Sequence, residues 1–397
     1  MMEDAQSSSW ADLQPELLGL VLNRLPSLDD RVRLRAACRP WRSNARLQPL
    51  PPPLPWLSLL DGTFLTIPDG KIIRMPVPDG ACCCGSIDNW LFFMQSDGGC
   101  SLVNPFTEAS LGLPKLATAW RRDLFNASSE YHPCFYKLAV PSPLDLDSSL
   151  DSLVAVLISD DGNSGTTVCI CQPPIATDLY TGRHRGPFHQ LFDIAFFDGK
   201  LHGVDFGCKL LTFEISYDPD DKPKISSVEC IINSRERSSL PPPLSNKKGY
   251  TLRGYLVECC GRLLMVQRLI EGSGLRPGGR DSFEHHRTAG FVVFEADLST
   301  KPGRWIRINK LGGQALFVGK HCSKSFPAGE CTGIQEDCIY FMCDYALPEC
   351  AANPFRDSGV CNMRNGMIMP LLSDSAATPM YRAGQWRPTW IFPADSM

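Results

Sequence analysis

Ile194-Ala195-Phe196-Phe197-Asp198-Gly199-Lys200-Leu201-His202-Gly203-Val204 is the stretch that decides the fold. Two apolar runs flank Asp-Gly, a dipeptide suited to the left-handed backbone of a two-residue hairpin turn. The arrangement recurs along the chain. Trp90–Met94 and Cys100–Val103 flank Ser96-Asp97-Gly98-Gly99. Val154–Ile158 and Thr166–Cys171 flank Ser159-Asp160-Asp161-Gly162-Asn163, and Tyr255–Val257 and Leu263–Val266 flank Cys260-Gly261. Phe291–Phe294, Leu316–Val318 and Ile339–Met342 read as further strands. A weak unit of turn glycine, basic residue and aliphatics repeats as Gly70-Lys71-Ile72, Gly199-Lys200-Leu201 and Gly261-Arg262-Leu263. Hairpins at this spacing predict a β-propeller-like domain over residues 56–397, with a pair of β-sandwiches as the alternative. At ~40–50 residues per blade the segment holds six or seven blades.

Upstream the pattern changes to that of helices. Pro15 suits a first helical turn, where its missing N–H costs nothing. Leu17, Leu18, Val21, Leu22 and Leu25 follow at i, i+1, i+4, i+5 and i+8, one apolar face. Pro26 stops that helix, and Ser27-Leu28-Asp29-Asp30 has the form of a capping box for a second. Leu28, Val32 and Ala36 continue it at four-residue steps; Pro40 breaks it and Trp41 opens a third segment. Three helices within residues 1–48 bury little surface alone, so this α module is expected to complete its core against a partner. Arg31, Arg35, Arg39, Arg42 and Arg46 read as a solvated face, with contact to an acidic partner as the alternative. Residues 49–55, rich in proline, form a semi-rigid polyproline linker that should hold module and β domain apart. A ligand for an SH3-like domain is the other reading of that segment.

The bulk composition agrees with a mainly β chain carrying a small N-terminal α module. Hydrophobic residues are 43% of the 397, enough for a large core. Gly (32) and Pro (33) together make about 16%, above the usual ~12%, as many tight turns require. A net charge of -4 with 21% charged residues offers nothing for nucleic acid. No apolar run approaches the ~18 residues of a membrane span, and Met1–Ser7 lack the pattern of a secretory signal. The 18 cysteines are therefore expected to be reduced core residues. Cys82-Cys83-Cys84, Cys259-Cys260 and Cys169 with Cys171 lack the turn spacing of zinc ligands, so no metal or other cofactor is expected.

Trp10-Ala11-Asp12-Leu13-Gln14-Pro15-Glu16-Leu17-Leu18, then Leu25-Pro26, Arg33-Leu34-Arg35 and Cys38-Arg39-Pro40-Trp41-Arg42, resemble the F-box. Gln14 departs from the adjacent Leu-Pro of the family, and Ala37 from its usual valine. The later part resembles the plant family named domain of unknown function 295. The matching stretches include Cys82–Ser86, Asn89-Trp90-Leu91, Leu102–Thr107, Leu113-Pro114, Tyr255–Val266, Leu311–Gly319 and Trp390-Ile391-Phe392-Pro393. Together the resemblances imply a substrate receptor of a Skp–cullin–F-box ubiquitin ligase, in the nucleus or the cytoplasm. Its helices would bind a Skp-type adaptor, and through it a cullin scaffold, while the β domain holds a target protein. The adaptor-binding residues the resemblance implies are Leu13, Pro15, Leu17, Leu18, Leu22, Leu25, Val32, Leu34, Cys38 and Trp41.

Motifs for bond chemistry fail on inspection, so the chain is not expected to be an enzyme. Gly319-Lys320 lacks the earlier glycine of a phosphate loop, and His321 stands where Ser or Thr would hold magnesium. Asp218, Asp220 and Glu229 mimic a calcium loop, yet Pro223 occupies the obligatory glycine position. His285-His286 lacks a spaced third ligand, and Asn126-Ala127-Ser128 is a sequon without a secretory context. The competing reading is a propeller that binds a small ligand or acts as an enzyme, with a vestigial F-box.

Overall fold

The computed structural model describes the chain apart from residues 1–9, 26, 49, 51, 60–61, 76–80, 96, 117–134, 142–143, 145–152, 160–165, 174–179, 183–190, 234–249, 273–285, 330–332, 346–354, 374–387 and 394–397. Asn126 and His285 lie outside the described residues. Three helices come first: α1 (Pro15–Asn23), α2 (Leu28–Ala37) and α3 (Arg39–Ala45). The described strands after them form six sheets, which make a six-bladed propeller.

From the axis outward, blade I holds Thr389–Ile391, Trp56–Ser58, Thr63–Thr66 and Ile72–Arg74. Blade II holds Ala81–Ile87, Trp90–Gln95, Cys100–Val103 and Ser110–Leu113; blade III holds Phe135–Ala139, Val154–Ser159, Thr166–Cys171 and Tyr180–Gly182. Blade IV holds Leu191–Phe197, Lys200–Asp205, Leu210–Tyr217 and Pro223–Ile232; blade V holds Tyr250–Cys259, Arg262–Glu271, Arg287–Asp297 and Arg304–Ile308. Blade VI has five strands, Lys324–Pro327, Gln314–Val318, Cys338–Phe341, Gly359–Asn362 and Ile368–Met369. Its Gln314–Val318 and Cys338–Phe341 strands pair in parallel, unlike every pairing in the other blades.

The hairpin reading of the sequence is met in detail. Asp198 and Gly199 take φ of 49° and 70°, and Cys260 and Gly261 take 50° and 72°. Consecutive left-handed residues give the turn whose twist matches the flanking strands.

A separate apolar cluster fills each space between neighbouring blades. Phe92 and Tyr136 meet edge-on between blades II and III, and Phe317 and Trp390 do so between VI and I. The ring closes because Thr389–Ile391 pairs antiparallel with Trp56–Ser58, joining the last strand to the first. Ser86 Oγ of blade II binds Thr389 Oγ1 and donates to Trp390 O, both at 2.6 Å, tying that late strand to the next blade.

Three expectations about the N-terminal part change. Ser27 makes no side-chain cap to α2; its carbonyl only accepts the first helical N–H, from Arg31. The buried face of α2 is Leu28, Arg31 and Arg35, at i, i+3 and i+7, so Arg31 and Arg35 are not part of a solvated face. Arg31 Nε donates to Leu25 O at 2.7 Å. Apolar stems of arginine fill a helix packing face when the nitrogen heads find carbonyls. Arg39, Arg42 and Arg46 are exposed as expected. Finally, module and propeller are not held apart. Leu28 is buried in a cluster with Trp56, Phe64, Phe93 and Ile391, and Pro53, Leu54 and Pro55 are buried as well.

Candidate functional site

The helical module divides its apolar residues between two jobs. Leu18 and Leu22 are fully buried with Ala45, and Leu13, Leu34, Trp41 and Leu50 pack around them. Trp41 Nε1 donates to Trp10 O at 2.8 Å, holding the segment before α1 against α3. These residues keep the three helices together. Leu25 and Cys38 are half-buried, while Pro15, Leu17 and Val32 are exposed. Of the ten residues singled out from the sequence, the structure thus leaves three fully available to a partner and commits Leu18 and Leu22 to the module's own core.

Leu20 and Val21 are not among those ten, yet both are exposed. Leu17 and Val21 lie beside the buried Leu18 and Leu22 on the same apolar face and Leu20 lies across the helix, so α1 carries more apolar surface than its own core uses. Six of the fourteen exposed large apolar residues of the described chain, Trp10, Leu17, Leu20, Val21, Val32 and Leu47, fall in these few dozen residues. Scattered single exposures need no explanation; a concentration of this kind marks a surface for a partner.

The second candidate lies at the axis of the ring. A cavity of about 700 Å³ opens where the turns after the innermost strands of blades II, IV and V converge on Cys322–Lys324 of blade VI. Leu138, Val140, Ile194 and Phe197 supply apolar wall; Asp88, Asp198 and Glu258 supply carboxylates; Lys137 and Lys324 supply cations. Its volume falls within the ~300–1,000 Å³ of ligand pockets.

Both lysines already have partners. Lys137 and Asp193 are buried and sit 3.1 Å apart, and Lys324 pairs with Asp88. Asp193 also accepts from Leu256 N at 2.9 Å, so one carboxylate links the inner strands of blades III, IV and V. A bulge between Leu191 and Asp193 shifts the strand register there. Desolvation raises the pKa of Asp193 despite Lys137 and two backbone donors acting against it. Below the mouth, buried His321 reaches across the axis, its Nδ1 3.0 Å from Tyr136 O. Gly85 leaves room for it, since a Cβ there would lie 3.2 Å from that nitrogen. Cys322 beside it is buried, which pushes its thiol up to about 11.

Elsewhere the polar interior is structural. Arg268 is fully buried between blades V and VI, 3.1 Å from Asp344 and 2.8 Å from Asp357, with its guanidinium 4.7 Å from the centre of the Phe341 ring. Among the described residues no group of three His, Cys, Asp or Glu is placed to hold a metal ion. No described helix is long and apolar enough to cross a membrane. Asp218 closes a tight turn by accepting the N–H groups of Asp220 and Lys222.

A three-helix module docked on a closed six-bladed β-propeller is the class of protein that fold and surfaces define. The family model of the KIB1-4 beta-propeller matches residues 64–365, most of the ring, and the chain belongs to that family. It is also similar over nearly its whole length to proteins of Arabidopsis thaliana. F-box protein At2g26160 is 23% identical over 354 residues, covering 85% of this chain and 96% of the relative. Putative F-box protein At5g60060 is 23% identical over 397 residues, covering 91% and 93%. F-box protein At2g17036 is 20% identical over 385 residues, covering 90% and 89%.

Proposed function

We propose that this chain is an F-box protein that serves as the substrate receptor of a Skp–cullin–F-box ubiquitin ligase, in the nucleus or the cytoplasm. The observation that carries the reading is the set of exposed apolar residues on the helical module, Pro15, Leu17, Val21 and Val32 among them. A Skp-type adaptor covers that surface and brings the cullin scaffold; the propeller holds a target protein. The mechanism is proximity: the receptor raises the effective concentration of target at the ubiquitin-charged enzyme and performs no bond chemistry itself. The names of the Arabidopsis relatives support the F-box assignment. We place the ring, more finely, with the plant family named domain of unknown function 295, on the strength of the strand stretches quoted above.

The test is capture of purified Skp-type adaptor by the full chain, by Leu17→Asp/Val32→Asp and by Arg46→Gln. Wild type and Arg46→Gln should retain adaptor equally and the double variant should lose it. Equal recovery by all three would remove the adaptor reading.

A further inference from the structure

We propose that the axial cavity receives a lysine or arginine side chain from the protein that the propeller recruits. The inference rests on the receptor reading above and gives its target a chemistry.

The argument begins with charge. Of the cavity's two cations, Lys137 is held by Asp193 and Lys324 by Asp88. Neither is left to attract an anion. Asp198, in its turn, and Glu258, at the end of the inner strand of the adjacent blade, stand at the rim, exposed, and neither forms an ion pair among the described residues. One Glu258 oxygen takes the Gly261 N–H at 2.8 Å, which fixes the side chain against its own turn. A fixed carboxylate at the lip of a partly desolvated cavity attracts a cation more strongly than a mobile one in water does. Below the carboxylates the walls are apolar, Leu138, Val140 and Phe197, and such walls suit the methylene stem of a long basic side chain.

The position of the mouth is informative too. Strands alternate in direction within blades I and II, so the turns after their first and third strands share one face. Phe392, at the end of the innermost strand of blade I, donates to Asp88 O at 2.8 Å, so that end lies at the cavity's level. Lys71, which pairs with Asp29 of α2, follows the turn after the third strand of blade I. The helical module and the cavity therefore lie on the same face of the ring, and a side chain seated in the mouth places its protein beside the module.

Two substitutions isolate the carboxylates. Asp198→Asn keeps a residue type tolerant of the φ of 49° found there. Glu258→Gln keeps the oxygen that accepts from Gly261. The measurement is fluorescence anisotropy of the full chain with two labelled pools of short random peptides, one with a fixed central lysine or arginine, the other with a fixed central glutamate. The basic pool should bind at least about tenfold tighter than the acidic pool, weaken with added salt, and lose its advantage in the double variant. Equal binding of the pools, preference for the acidic pool, or a basic preference that survives the double variant would overturn the proposal. Adaptor capture on the same preparations separates the two claims. Adaptor retained without basic preference removes the cavity assignment alone; basic preference without adaptor capture removes the receptor reading and leaves a cation-selective mouth.

Discussion

Lys71, at the edge of blade I, forms an ion pair with Asp29 in the first turn of α2, beside the buried Leu28. The two contacts differ in weight. The Lys71 and Asp29 side chains are 47% and 32% exposed, so their pair contributes under about 1 kcal/mol. Leu28 is 2% exposed, and truncating a leucine buried so deeply costs roughly 2–5 kcal/mol. Leu28→Ala should lower stability in urea denaturation by that amount and open a protease site before Trp56. Lys71→Ala should do neither. Matching effects from the two variants would mean that the module is not anchored by apolar packing.

The division of labour within α1 gives a second contrast. Leu18→Ala should cost roughly 2–5 kcal/mol, because Leu18 lies wholly within the module's core. Leu17→Asp with Val32→Asp should leave the melting temperature within a few degrees of wild type, since both side chains face solvent. Adaptor affinity should instead fall about a hundredfold or more, because two apolar contacts are lost and two charges meet an apolar surface. Calorimetric titration beside thermal melting reads both.

Arg268 gives a third. Replacing it with leucine leaves Asp344 and Asp357 buried without their cation, and breaking such a set costs roughly 3–5 kcal/mol. Arg268→Lys should recover only part of this, because one ammonium cannot reproduce a planar fork that reaches two carboxylates and Met342 O together. Equilibrium unfolding at neutral pH ranks the three proteins.

His202 sets an acid limit. Burial lowers its pKa from 6.5 to about 4, and its Nδ1 lies 3.0 Å from Thr212 Oγ1. The unfolded chain therefore binds a proton that the folded chain refuses between pH 6.5 and about 4. The stabilisation is complete above pH 6.5 and drains away as the pH falls across that window, by up to about 3 kcal/mol. His202→Gln should flatten the profile there. An unchanged slope in urea midpoints from pH 7 to 4 would place the acid sensitivity elsewhere.

Thiol reactivity checks the interior directly. Burial pushes Cys83, Cys169 and Cys171 up to about 12, and Cys259 and Cys361 to about 11. Of the described cysteines only Cys82, Cys230 and Cys260 are exposed. Brief alkylation of native protein at pH 8, read by peptide mass, should label these three first and leave the buried set intact until denaturant is added.

Local patterns announced the blades because each hairpin is written in consecutive residues. Asp198-Gly199 and Cys260-Gly261 adopt the left-handed turns that their composition favours. What escaped the sequence was non-local. Asp193 reads as a lone acid, and only folding brings Lys137 and Leu256 N to it. Arg31 and Arg35 look solvated because their burial depends on how α2 meets carbonyls and blade edges around it. For the candidate site, Asp198 was visible in its turn motif, whereas nothing near Glu258 indicated that it would stand at the mouth of a cavity.

Closure of the ring by Thr389–Ile391 also sets a schedule for synthesis. Trp56–Ser58 leaves the ribosome early, yet its partner on the axial side follows roughly 330 residues later. At ~5–20 residues per second that interval is tens of seconds. Throughout it, the first blade shows an open edge and the apolar side chains of Trp56 and Leu57 to solvent. An unpaired strand edge recruits other strands. The nascent chain thus carries an unpaired edge until Thr389–Ile391 emerges, and any truncation before Thr389 removes the clasp from a chain that already holds the other strands of the ring.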